Sequence, residues 1–246
     1  QSARNLAVFG TLDGPCGEIF QAEDARREVG RGSVADLDRF APLQGEWPTL
    51  QGPHNLQNVA VAVALVEELG VTEAQWRHAL PRFRNLPHRM EFVGEDHGVI
   101  FINDSKATNP ASTAPALAAY PPGQSGPRVH WIVGGLAKDD GLGEPEAELG
   151  NVAVAYTVGE AGPRFAELLE AKGITVERCE LVSEAVRRAQ EAAKPGEVIL
   201  FSPACASFDQ FRDYEKRGEH FRRLVGVMAD CSVAPDPDGA MKDFAA

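Results

Sequence analysis

The chain has 246 residues, of which 43% are hydrophobic, enough for one large domain or two ordinary ones with real cores. A formal net charge of -12 disfavours non-specific attraction to nucleic acid or acidic membranes, so any bound anion must be held by local cations and backbone amides. Cys16, Cys179, Cys205 and Cys231 are scattered with no C-x-x-C pair, which suggests neither a zinc site nor a disulfide framework, and the longest aliphatic run, 59–66, is far short of the roughly 20 residues that cross a bilayer.

No charged-apolar-small leader opens the chain, so a cytoplasmic protein with reduced thiols is expected. Residues 6–9 read as a strand, followed by a Gly-Pro turn and a polar helical stretch through residue 27. Pro53 opens a clearer helix, with Val59, Val63 and Val66 at helical spacing before Gly70. Thr72 and Gln75 form a capping box for another helix ending near residue 83, and Leu86-Pro87 breaks it.

From residue 90 the rhythm becomes strand (90–94), Asp96-His97-Gly98 turn and strand (99–102). Alternation follows: helix 110–120, strand 129–133, strand 152–158, helix 163–172, a short strand near 176, helix 184–194, strand 198–201 and helix 208–227. This pattern predicts right-handed crossovers and an α/β fold, a mostly parallel, doubly wound sheet with helices on both faces. The segment beyond Cys231 is poor in apolar residues and is expected to be disordered.

In a doubly wound sheet ligands bind beyond the carboxyl ends of the strands. Asn103-Asp-Ser-Lys-Ala-Thr-Asn109 follows one strand and supplies an acid, a cation, two hydroxyls and free amides. Gly134-Gly135-Leu136-Ala137-Lys138, Gly159-Glu160 and 202–207 follow three others. Together they predict one crevice of positive character.

Each feature also has a plain structural reading. Asn109-Pro110 is a good helix start by itself, and Asp104 could serve only the helix dipole. Gly134-Gly135 could be only a tight turn, with Lys138 a solvated lysine. Ser207 with Gln210 reads as a capping box, which is compatible with an anion site at a helix N-terminus. Asn55 and Asn58 lie three apart on one helical face, suited to a purine edge or to capping; Arg89 suits a surface ion pair or a phosphate. No G-x-x-x-x-G-K-[ST], H-E-x-x-H, G-x-S-x-G or G-x-G-x-x-G occurs, so these residues contain no phosphate-cradling P-loop and no self-sufficient catalytic motif.

The blocks Gly52-Pro-His-Asn-Leu-Gln-Asn58, Leu86-Pro-His-Arg-Met-Glu91, Asn103 to Asn109, Gly134 to Lys138, Phe201-Ser-Pro-Ala-Cys-Ala-Ser-Phe-Asp-Gln-Phe211 and Tyr214-Glu-Lys-Arg-Gly218 occur in that order. They resemble the Mur ligases of bacterial peptidoglycan synthesis, and within them the members that add D-glutamate; the third and fifth blocks carry that distinction. The likeness is firm over 50–227 and loose over the first fifty residues.

The resemblance implies that 1–86 is the C-terminal part of a P-loop-type central α/β ATPase domain. It implies a Rossmann-like C-terminal ligase domain over 87–229, which leaves 230–246 as the tail expected from composition to be disordered. The implied reaction is ATP-dependent: the carboxylate of UDP-N-acetylmuramoyl-L-alanine becomes an acyl phosphate and the amine of D-glutamate attacks it.

By position, Asn55, Asn58, Arg89, Asp104 and Lys106 would serve ATP, with Lys106 also near the reacting centre. Thr108 and Lys138 would hold one carboxylate of D-glutamate, and Ser207, Phe208 and Tyr214 the other; Lys106 and Lys138 are the catalytic candidates. Tyr214 stands where the family commonly has Phe. The family's UDP-binding domain, P-loop, Mg2+ ligands and modified lysine would belong to a missing N-terminal part. A monomer with no nucleic-acid or membrane partner, inactive as this chain alone, is expected. Two alternatives remain: a non-catalytic amino-acid-binding module derived from the ligase, or a sibling such as a folylpolyglutamate synthetase.

Overall fold

The computed structural model describes residues 37–228 apart from 68 and 139. The expected strand at 6–9, the helical stretch to residue 27 and the disordered tail lie outside the described residues. The chain divides into two compact units, Gln1–Phe83 and Arg84–Ala246.

The described part of the first unit is helical: α1 (Leu37–Phe40), a 3-10 turn (Ala41–Glu46), α2 (Pro53–Glu67), α3 (Glu73–Ala79) and a second 3-10 turn (Leu80–Arg82). Pro53 is the first residue of α2, where its missing N–H costs nothing. The capping box of α3 forms as expected, Thr72 and Gln75 serving each other's orphan groups. Phe40, Trp47, Leu50, Val59, Val63 and Trp76 make this unit's core. Arg39 donates to both oxygens of Glu67 at 3.1 and 2.8 Å, and the same carboxylate accepts from the Trp76 indole. Sequence periodicity gave no sign of α1 or its 3-10 extension, because elements this short carry no repeat.

In the second unit a six-stranded sheet has the order β1-β2-β6-β3-β4-β5. The strands are β1 (Glu91–Asp96), β2 (Val99–Asn103), β3 (Val129–Gly134), β4 (Val152–Val158), β5 (Val176–Glu180) and β6 (Val198–Phe201). Only β1 is antiparallel, paired to β2 through the Asp96 to Val99 turn. The central strands β3 and β6 are buried at every residue, as a sheet covered on both faces requires.

Alternation along these strands builds two cores. Ile102, Trp131, Val133, Val198 and Leu200 face α4 (Pro110–Ala118) and α5 (Gly162–Ala171). Phe101, Ile132, Ile199 and Phe201 face α6 (Val182–Ala192) and α7 (Tyr214–Met228). The doubly wound α/β arrangement is therefore as the sequence pattern predicts.

The structure departs from the sequence reading at several element ends and in one added segment. The first strand starts at Glu91, because His88 and Met90 adopt positive φ (63° and 47°), outside strand geometry. A 3-10 segment, Glu144–Asn151, fills part of the link between β3 and β4 and buries Leu149. The last helix starts at Tyr214, six residues later than expected.

Candidate functional site

The strands β2, β6, β3 and β4 are consecutive neighbours and run parallel, so the loops that follow them emerge at one edge. Backbone bonds join these loops. The Asp104 amide donates to Phe201 O (2.8 Å), Gly134 to Pro203 O (2.9 Å) and Ala161 to Gly135 O (2.9 Å), while Leu136 and Ala206 exchange a pair at 2.9 and 3.0 Å. Gly134 and Gly135 have φ of 128° and 135°, and a Cβ on them would strike the Val158 and Ala206 carbonyls. Only glycine lets the β3 loop approach so closely.

Within 103–109 the side chains divide by burial. Asn103, Asp104 and Ser105 are buried, Thr108 and Asn109 half-buried, and Lys106 exposed. Asn109 is the N-cap of α4, its Oδ1 accepting from the Ser112 amide at 2.9 Å. Asp104 turns inward, not toward the helix dipole. Its carboxylate accepts from the Met90 amide (3.1 Å) and the Ser202 hydroxyl (2.7 Å), and Ser202 meets Thr113 at 3.0 Å. Burial pushes the Asp104 carboxyl up to about 7, against the opposing pull of Ser202, Met90 and the nearby Arg89 charge.

Sequence reasoning missed the residue that ties the loops together. Arg217, from α7, is only 2% exposed. Its Nε donates to Ser105 Oγ (3.0 Å), and its Nη2 to the carbonyls of Ser105 (2.9 Å) and Cys205 (3.0 Å). Ser105 Oγ in turn donates to Tyr214 O at 2.8 Å. Hydrogen bonds from a charged donor contribute about 1.5–3 kcal/mol each, and three of them offset part of the desolvation of the guanidinium. Burial still lowers its pKa to about 10, and Nη1 is buried without a partner. The signal in the sequence was the arginine inside Tyr214 to Gly218, whose planar fork suits several carbonyls at once.

Ser207 is buried and Phe208 is 70% exposed. The expected capping box there does not form: the Gln210 and Phe211 amides donate to Ser207 O, making a turn, and the Gln210 side chain donates to Glu180 O. Asp213 heads α7 instead, its Oδ1 accepting from the Lys216 amide at 2.7 Å.

The second unit therefore carries Arg89, Asp104, Lys106, Thr108, Lys138, Ser207, Phe208 and Tyr214. Lys106 and Lys138 are exposed, and Lys106 Nζ lies 5.7 Å from the centre of the Tyr214 ring. The first unit carries Asn55 and Asn58. Asn55 Nδ2 donates to Gln51 O at 3.0 Å, and the exposed Asn58 reaches Asn55 Oδ1 at 3.5 Å. Among the described residues no group of three or more His, Cys, Asp or Glu is placed to hold a metal ion, and no helix is long and apolar enough to cross a membrane. Chemically, lysines, a hydroxyl and backbone amides at one sheet edge can hold carboxylates or phosphates.

Residues 88–205 match the family described as Mur ligase, glutamate ligase domain. Over 97% of its length the chain is 53% identical to a UDP-N-acetylmuramoylalanine--D-glutamate ligase from Novosphingobium aromaticivorans, covering 52% of that protein. A protein of the same description from Zymomonas mobilis is 44% identical over 93% of the chain, which covers 49% of it. The chain thus spans about half the length of these relatives. Among solved structures, a UDP-N-acetylmuramate-alanine ligase from Thermotoga maritima shares the fold with TM-score 0.50 and 18% identity, over 72% of this chain and 39% of that one.

Proposed function

Because the chain belongs to the Mur ligase family through its glutamate ligase domain, we propose that it is the amino-acid-binding portion of a ligase that adds D-glutamate to UDP-N-acetylmuramoyl-L-alanine. The observation that carries this reading is the identity of 53% along nearly the whole chain to a ligase of that description, together with loops rich in carboxylate-holding groups at one sheet edge. The enzyme is read as cytoplasmic, acting in cell-wall synthesis and hence in cell shape and division. Residues 1–86 are read as the end of its ATPase domain and 87–229 as its ligase domain.

When bound, ATP with Mg2+ supplies the phosphoryl group that activates the substrate carboxylate. The residues that would hold the metal are read as belonging to the part of the ligase outside this chain. Lys138 and Thr108 hold one carboxylate of D-glutamate by a charge-assisted bond and a hydroxyl, and Ser207 with the backbone at Phe208 and Tyr214 holds the other. Two fixed carboxylates orient the amine, which is where most of the rate gain of such a step originates. Lys106, exposed beside the loop, faces the developing negative charge. Asn55, Asn58, Arg89 and Asp104 are assigned to the nucleotide.

Calorimetric titration of the chain with D-glutamate and L-glutamate tests this reading. D-glutamate should bind at least about tenfold more tightly, and Lys138→Ala should weaken it by a similar factor. Preference for L-glutamate would overturn the assignment and favour a folylpolyglutamate synthetase-like activity.

A further inference from the structure

Residues 88–90 run directly against the loop that begins at Asn103. His88 and Met90 both hold positive φ, a conformation that histidine adopts more readily than most residues and methionine rarely adopts. Three bonds keep them there. The Lys106 amide donates to His88 O (2.9 Å), the Met90 amide to Asp104 Oδ1 (3.1 Å), and the side chains of Asn103 and His88 meet at 3.0 Å. Between His88 and Met90 stands Arg89, exposed like Lys106.

The orientation of Asn103 bears on the protonation of the histidine. Asn103 Oδ1 accepts from the Ser105 amide at 3.2 Å, so Nδ2 is the end that faces Glu91 Oε2 (2.9 Å), His88 Nδ1 (3.0 Å) and Gly218 O (3.3 Å). The contact favours an accepting Nδ1 and a ring proton on Nε2, in competition with Glu91 Oε2 and Gly218 O for the two amide hydrogens and with Glu91 Oε2, 3.7 Å from Nδ1, for a proton on that nitrogen. Gly218 packs flat on the ring, where a Cβ would collide with Nδ1. The charged groups around the ring are Glu91, Arg222, Glu219 and Glu215; burial, aided by the Arg222 charge, outweighs the three carboxylates and holds the histidine below its ordinary pKa. Asn103 is fully buried and His88 nearly so, and both fix the backbone around them.

We propose that Asn103 and the neutral Nε2–H form of His88 are positioning residues, a clip that sets the Arg89 and Lys106 cations beside one another at the ligand loop. The inference rests on the reading of 103–109 as that loop. It gives the histidine a role at this point: the ring supplies one of the three acceptors around the amide nitrogen of the loop's first residue.

The test has two readouts on the whole chain. Nitrogen-detected NMR of His88 at pH 7.5 should show a neutral ring protonated on Nε2; a proton on Nδ1 would overturn the proposal. Amide exchange at Lys106 reads the clip itself. His88→Asn tolerates positive φ and puts Oδ1 where Nδ1 was, so protection at Lys106 should stay within about threefold of the parent. His88→Gly tolerates positive φ without any acceptor, so protection there should fall at least about tenfold while Trp131 in β3 is unchanged. Equal protection in both variants, or an equal loss at Trp131, would sink the local clip. Failure of the parent chain to bind D-glutamate would refute the proposed function, yet leave the tautomer and the exchange pattern to decide this inference.

Discussion

Asp104 lies among the residues that most resemble ligand-binding groups in sequence, yet its carboxylate bonds inward to Met90 and Ser202. Its folded pKa of about 7 lies above the ordinary 3.8, so its contribution to stability is greatest below pH 4 and is lost as pH rises through 7. The stability difference between the parent and Asp104→Asn should therefore shrink by roughly 2–3 kcal/mol from pH 5 to pH 8 in urea unfolding. A difference that stays flat over that range would mean that the carboxyl ionises normally. At this scale the sequence told which residues have ligand chemistry, and Asn109 was readable as a cap. It did not tell that Asp104 and Ser105 point inward, nor that Arg217 braces Ser105, because burial is decided by segments about a hundred residues away.

The last helix shows how a local signal can be outcompeted. Both Ser207 with Gln210 and Asp213 with Lys216 offer an oxygen three residues before an amide, and either could begin a helix. Tertiary bonds chose between them: Arg217 Nη2 on Cys205 O and the Leu136–Ala206 pair hold the preceding loop, with Ala204 at a φ of 59°. Asp213→Ala should cost about 1 kcal/mol and speed amide exchange at Lys216 and Arg217. Ser207→Ala should leave that exchange unaltered; faster exchange there would restore Ser207 as the cap. The capping box of α3 formed as its sequence predicts.

At the scale of the molecule, 246 residues without a P-loop sequence should release no phosphate from ATP in the presence of D-glutamate. Colorimetric phosphate assay of the purified chain checks this, and D-glutamate-dependent release would overturn it. Strand and helix order, the parallel character of the sheet and the edge at which the loops gather were all legible, because they follow from hydrophobic period and from the rule that parallel strands end together. The family blocks were legible for the same reason, being contiguous in the chain. What only the tertiary structure decided is how those blocks lock: the inward Asp104, the Arg217 bonds to Ser105 and Cys205, and the His88–Asn103 clip. Each joins residues distant in sequence through hydrogen bonds in a buried setting, and such partners leave no periodic trace along the chain.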